Sequence, residues 1–222
     1  MATSTSSRPL SIPTPISPNS GLLSFGGRPG PIGAAPRQPS QFIRRLHYTE
    51  LEPLVLAVSP DAREAGFDEL VIPYLVNQWV EDYCLNSGAS DVVQTVANDF
   101  SYLFDIRRQR LIAAWGMSGG KHSGARDSNR MSGHPLSAGP YYHRGHAIPH
   151  TLGGPTDINL VPQLGRVNIG SFRRLENLAV KTPGSLYFSY WIYAREMDPI
   201  PSGVDQGLLI AGQPPEILRH NN

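Results

Sequence analysis

Residues 144–176, RGHAIPHTLGGPTDINLVPQLGRVNIGSFRRLE, place two histidines, three side-chain amides and one glutamate among arginines. Histidine is the side chain best suited to take a proton from water near neutral pH. Amide and carboxylate oxygens are the ligands that a hard cation such as Mg²⁺ prefers. Arginine matches a phosphate oxygen with paired donors and stabilises charge that develops on it. His146, Asn168, Glu176 and Arg144 can fill these roles. Asn168 precedes Glu176 by eight residues, and a helix over Ser171–Thr182 would carry Glu176 on the face of Phe172 and Ala179, pointing inward. A carboxylate buried there needs a partner, either a hydrated metal or a salt bridge to Arg173 or Arg144.

Outward from this stretch, the chain reads as α+β with a mainly antiparallel sheet. Phe100, Tyr102 and Phe104 alternate, a polar break follows at Arg107–Gln109, and Leu111–Trp115 returns, which predicts a β-hairpin. Leu186–Ala194 is a strongly β-prone buried strand, and a last hairpin is expected around Gly212–Pro215. Between them, residues 117–140 form a long glycine- and serine-rich loop with basic Lys121, Arg126 and Arg130.

Upstream, apolar residues from Phe67 to Tyr83 recur at spacings of three and four and stop at Asn86-Ser87-Gly88, the pattern of an amphipathic helix bent or started by Pro73. A second short helix is expected over Asp91–Ala97. These segments make residues 41–98 an acidic helical accessory region, which packs on the domain behind it or presents carboxylates to a basic surface. Residues 1–40, rich in proline, serine and glycine, cannot bury enough apolar surface to offset their ordering entropy and are expected to be disordered. The division is thus 1–40, 41–98 and 99–222.

The composition sets bounds on function. In 222 residues, 40% apolar content supports one ordinary core, while 21 prolines and 22 glycines argue against a helical bundle. A single cysteine, Cys84, excludes a multi-cysteine zinc site and an intrachain disulfide framework. The net charge of +1 divides into +3 over residues 1–40, −7 over 41–100 and +5 over 101–222. A basic C-terminal half is compatible with a polyanionic partner. No apolar run reaches the roughly 18 residues of a membrane span and no secretory signal is visible, so a soluble protein, cytoplasmic as made, is expected.

The segments RGHAIPHTLGG, INLVPQ and NIGSFRRLE together resemble the DNA/RNA non-specific endonucleases, the ββα-metal or His-Me finger nucleases. That family's signature runs D-R-G-H, N-x-x-P-Q, N-x-G-x-x-x-x-L-E, and Asn159, Gln163, Asn168 and Glu176 match it in order and spacing. The resemblance covers the chain from about Phe100 to the C-terminal strands. It implies a ββα-metal motif and Mg²⁺-dependent phosphodiester hydrolysis, with Mn²⁺ as a substitute. In that scheme His146 is the general base, Asn168 the direct metal ligand, Glu176 a holder of the cation's water and Arg144 a stabiliser of the transition state. Asn159, Gln163 and Arg173 would support the site or contact substrate, and Arg126 and Arg130 are candidates for a second catalytic arginine.

The resemblance further implies DNA and RNA as substrates and an antibacterial toxin effector as one setting. That setting would bring a cognate immunity protein, a delivery partner for the N-terminal tail and export by a specialised secretion system. The chain departs from the pattern at His143, which stands where the family has aspartate, so that aspartate's orienting role is lost or moved. The competing reading is a catalytically impaired nucleic-acid or protein binding module on the same fold. His143, His146 and His150 also spell H-x-x-H-x-x-x-H, a spacing that raises zinc, although strand alternation separates these side chains. His47, His122 and His134 are expected to be exposed loop residues.

Overall fold

A computed structural model describes residues 45–88, 91–125, 128–132 and 138–222. The expected disordered tail lies outside the described residues, as do Arg126 and His134. Chain order begins with helix α1 (Leu51–Ala57), a tight turn at Pro60–Ala62, and one long helical run made of α2 (Arg63–Gly66), a widened turn over Phe67–Val71 and α3 (Ile72–Ser87). The widening has a cause in Pro73. Proline has no N–H to give the carbonyl four residues back, and its ring would collide with that carbonyl. Just ahead of it the ladder slips by one residue: Ile72 N–H donates to the Phe67 carbonyl, five residues back. Leu75, Trp79 and Tyr83, one turn apart, face inward, and Gly88 ends the run with φ +71°.

Residues 92–97 are a strand, not the expected helix. β1 (Val92–Ala97) pairs antiparallel with β2 (Phe100–Asp105) through a two-residue turn in which Asn98 and Asp99 take φ of 50° and 64°. Three valines and a threonine favour the pleated strand, and an Asn-Asp pair tolerates the left-handed turn. β3 (Arg110–Met117) completes this meander. There follow a helical turn α4 (Ser128–Met131), β4 (Tyr142–His146), β5 (Leu160–Leu164), a helical turn α5 (Gly165–Asn168), α6 (Arg173–Lys181), and strands β6 (Leu186–Ile192), β7 (Gly203–Leu209) and β8 (Glu216–Asn221). The sheet order is β1-β2-β3-β6-β7-β8, every pair antiparallel, with β4-β5 as a separate two-stranded sheet. The α+β class and the hairpins expected on either side of the long loop are observed.

The helical front is part of the same core. Trp79 lies 5.2 Å from Phe188 and 5.6 Å from Trp115, centroid to centroid, and its indole N–H donates to the Tyr48 hydroxyl at 3.2 Å. Aromatic burial of this size is worth about 3–5 kcal/mol on truncation to alanine. Polar groups join α3 to the sheet as well. The Tyr190 hydroxyl donates to Asp82 at 2.7 Å, and buried Arg110 donates to Tyr83 Oη and Ser87 Oγ, each at 2.7 Å. A boundary at 98/99 therefore falls within the β1–β2 turn, and the strand before it belongs to the main sheet. Among the described residues, no helix is long and apolar enough to cross a membrane.

Candidate active site

β4 and β5 form the hairpin that carries His146. Their register sets Arg144 opposite Pro162 and His146 opposite Leu160 on one face, with His143 opposite Gln163 and Gly145 opposite Val161 on the other. The glycine of R-G-H has a packing reason. A Cβ at Gly145 would stand 2.3 Å from Gln163 Oε1 and 2.6 Å from Gln163 Cβ, and Gln163 is itself fully buried.

Immediately after His146, the chain is clamped by Asn159. The Ile148 N–H donates to Asn159 Oδ1 at 2.7 Å, while Asn159 Nδ2 donates to the carbonyls of Ile148 at 2.7 Å and Pro155 at 2.9 Å. The Ala147 N–H donates to the Asn159 carbonyl at 2.9 Å. Asn159 has thus committed its side chain to the backbone that exits β4. Its amide oxygen is occupied, and of the two asparagines in the family-like pattern it is Asn168 that lines the cleft.

Beyond β5, Gly165 lets the backbone pass His143 closely; a Cβ there would meet its ring at 2.7 Å. His143 Nδ1 in turn lies 3.5 Å from Asn168 Nδ2 at the end of α5, a contact at the outer limit of a hydrogen bond. The Asn168 side chain then stands ahead of α6, whose entry is fixed from below. Gln206 Nε2 donates to the Phe172 carbonyl and to Tyr187 Oη, both at 2.8 Å. Since Gln206 thereby uses its donors, its oxygen accepts from His220 Nε2 at 3.0 Å, and His220 Nδ1 is left to accept from Ser171 Oγ at 3.0 Å. Burial lowers the His220 pKa, in keeping with a neutral ring. None of Ser171, Tyr187, Gln206 and His220 stands out in the sequence, because their partners lie on distant strands.

These elements enclose a cleft of about 320 Å³ lined by Arg144, His146, His150, Asn168, Arg173 and Glu176, with Met131, Pro149, Thr151 and Asn177 at its walls. His146 is buried, whereas Asn168 and Glu176 are half-buried. Glu176 was expected to point inward with Phe172 and Ala179; those two are buried, and Glu176 instead turns toward the cleft at the edge of that face. Its charge still reaches the interior. Burial first, and then the Glu176 carboxylate, hold the Tyr187 hydroxyl well above the usual tyrosine range.

Arg173 reaches the cleft, but Asn159 and Gln163 do not line it and lie buried behind it. Arg126 is outside the described residues, as is the side chain of Arg130, whose backbone is in α4. Among the described residues, none of the acidic front segment lines the cleft. His150 packs edge to face with His146 at 6.3 Å and with exposed His122 at 5.9 Å. Among the described residues, no group of three His, Cys, Asp or Glu side chains could hold a metal ion, and His143 lies on the opposite face of β4 from His146. The zinc reading of H-x-x-H-x-x-x-H is therefore set aside.

No protein-family model and no curated protein matches the chain. Among solved structures it is similar to NucA from Streptococcus agalactiae with no metal bound, at 14% identity and a TM-score of 0.42, over 65% of this chain and 88% of that one. The same protein with a magnesium ion bound gives 13% identity and a TM-score of 0.42, over 64% and 89%.

Proposed function

We propose that the chain is a metal-dependent endonuclease that hydrolyses phosphodiester bonds of DNA and RNA with little sequence preference. The observation that carries this reading is convergence: Arg144, His146, Asn168, Arg173 and Glu176, from β4, α5 and α6, line one cleft. The donor chemistry suits a hard cation. Asn168 offers an amide oxygen and Glu176 a carboxylate, both half-exposed to a cleft with room for water. Mg²⁺ keeps most of its waters and takes few protein ligands, so a single direct ligand with a carboxylate behind it is a fitting set. Asn168 would hold the ion, and Glu176 would accept hydrogen bonds from its hydration shell. When bound, the cation supplies Lewis-acid stabilisation of the phosphate and the departing oxygen.

The chain's own groups do the rest. His146 takes the proton of the attacking water, and the Asn159 clamp fixes the backbone that follows it. Arg144 lies on the same strand face and stabilises charge on the non-bridging oxygens, and Arg173 binds a neighbouring phosphate. Contacts to phosphate carry no base information, hence the broad substrate range. Export as an antibacterial toxin with an immunity protein and a delivery partner is a finer reading that rests on the sequence resemblance. His143, where the family has aspartate, lies on the face of β4 opposite His146 with its Nδ1 3.5 Å from Asn168 Nδ2, and the digestion assay separates an active nuclease from the impaired-module reading.

The test is Mg²⁺-dependent digestion of plasmid DNA and of single-stranded RNA, beside His146→Ala. That variant should keep its fold and lose about 10²–10⁴-fold in rate. Full activity in a folded His146→Ala would refute the mechanism.

A further inference from the structure

The six-stranded sheet ends on two unlike edges. β8 carries Glu216, paired with Arg174, and Arg219, which donates to the Leu46 carbonyl and approaches Asp205 at 3.5 Å. Charge and a covering segment of chain are the usual devices that stop an edge from recruiting another strand. β1 has neither. Its sequence, VVQTVA, contains no charge and no proline; Val93 is 38% exposed and Val96 64% exposed, and Gln94 and Thr95 between them are exposed too.

The hairpin turn fixes which backbone groups are available. In a two-residue turn the flanking residues, here Ala97 and Phe100, form a hydrogen-bonded pair, and such pairs recur at every second position. Thr95 and Val93 therefore bond to β2, while the N–H and C=O groups of Val92, Gln94 and Val96 point away from the sheet. Among the described residues, no backbone group pairs with them from outside.

We propose that β1 pairs antiparallel with β1 of a second copy of this chain, about a two-fold axis through Gln94, joining the two sheets. Outward-pointing residues must face outward-pointing residues, which admits only registers that match 92, 94 and 96 with one another. The register centred on Gln94 uses all three. Val92 then faces Val96 of the second copy, Gln94 faces Gln94, and Val93 faces Thr95. Every direct pair is apolar with apolar, amide with amide, or β-branched with β-branched, and no charge lies within the ladder. Centring on Thr95 would set Val92 against the turn residue Asn98 and waste a pair. The same patch serves both copies, as a closed two-fold interface requires. One strand on each side gives a contact at the small end of specific interfaces, so the dimer is reversible.

Sedimentation of the full chain over a wide concentration series reads this out directly. The native chain should shift from monomer toward dimer as concentration rises, and exchange of the Val92, Gln94 and Val96 amides with deuterium should slow in step. Gln94→Pro removes an outward N–H and leaves the β2 bonds intact, a position where an edge strand tolerates proline. It should sediment as monomer throughout. Val96→Lys places a charge on a side chain already in solvent and gives a second reading if proline disturbs the hairpin. A native chain that stays monomeric overturns the proposal, including one whose β1 amides are protected only by a different protein. So does a dimer that persists in both variants.

Discussion

Gly145 and Gln163 exclude any larger residue at the centre of R-G-H: the Gln163 amide oxygen lies 2.3 Å from where a Gly145 Cβ would be. Both amide atoms of Gln163 are buried and find no hydrogen-bond partner among the described residues, so the side chain is held by shape. Gly145→Ala should cost about 1–3 kcal/mol, the range for overpacking a filled site. Gln163→Ala in the same chain should relieve the overlap, so the double variant loses less than the sum of the two single losses. Thermal unfolding of the four proteins measures the coupling. Strict additivity would show that the two positions do not meet.

That contact also shows what was readable in advance. Strand alternation and the β-rich hairpins could be read locally, since each depends on residues within a turn or a strand. The site residues could be ordered along the chain, and His146, Arg144, Asn168, Arg173 and Glu176 do meet in one cleft. The support beneath them was hidden. Gln206 and His220 come from β7 and β8 and meet Ser171 and Phe172 only after the sheet forms. Residues 92–97 form a strand where a helix is expected because six residues with scattered apolar positions do not separate the two periods. The Asn98-Asp99 turn was the stronger signal there.

Asn159 makes three side-chain hydrogen bonds to the backbone around Ile148 and Pro155. Asn159→Ala leaves a buried N–H and two carbonyls unpaired, at about 1–3 kcal/mol for such an unmet group. Asn159→Asp keeps the acceptor for Ile148 N–H but turns a negative oxygen toward the Ile148 carbonyl, and should be no better. Both variants should lose nuclease rate at temperatures where they remain folded, because the residues that follow His146 are released. Circular dichroism paired with the digestion assay separates the two effects. A folded Asn159→Ala of native rate would show that the clamp does not position the base.

Chelation should abolish digestion, and added Mg²⁺ should restore it. Glu176→Gln keeps the shape of the side chain but would weaken the hold on the cation's water proposed for it, and should raise the Mg²⁺ requirement by about 10–100-fold, the range for outer-sphere partners. Asn168→Ala should raise it further, whereas Asn168→Asp, which retains an oxygen at that place, should lie between alanine and the native chain. Magnesium titrations of the initial rate give the order directly. An Asn168→Ala variant that saturates at the native Mg²⁺ concentration would remove Asn168 from the metal site.

Asp205, at the heart of β7, is pushed up from 3.8 to about 6, chiefly by burial and further by the neighbouring Asp82, against the opposing pull of Arg219, the Tyr48 hydroxyl and Arg45. The folded chain therefore holds this proton in a range where the unfolded chain has released it. Its contribution to stability falls as pH rises from about 4 to about 6, and the cost of the buried charge is fully present above that window. Asp205→Asn should accordingly stabilise the protein near pH 8, by up to roughly 3 kcal/mol, and change little near pH 4. The comparison must be made between the two proteins at each pH. His220, whose pKa is lowered by burial, binds its proton more readily in the unfolded chain and drives the native stability curve the other way, downward on acidification. Denaturant melts of both proteins across the range give the difference curve. A difference that is flat with pH, or largest near pH 4, would show that Asp205 is not held protonated by its burial.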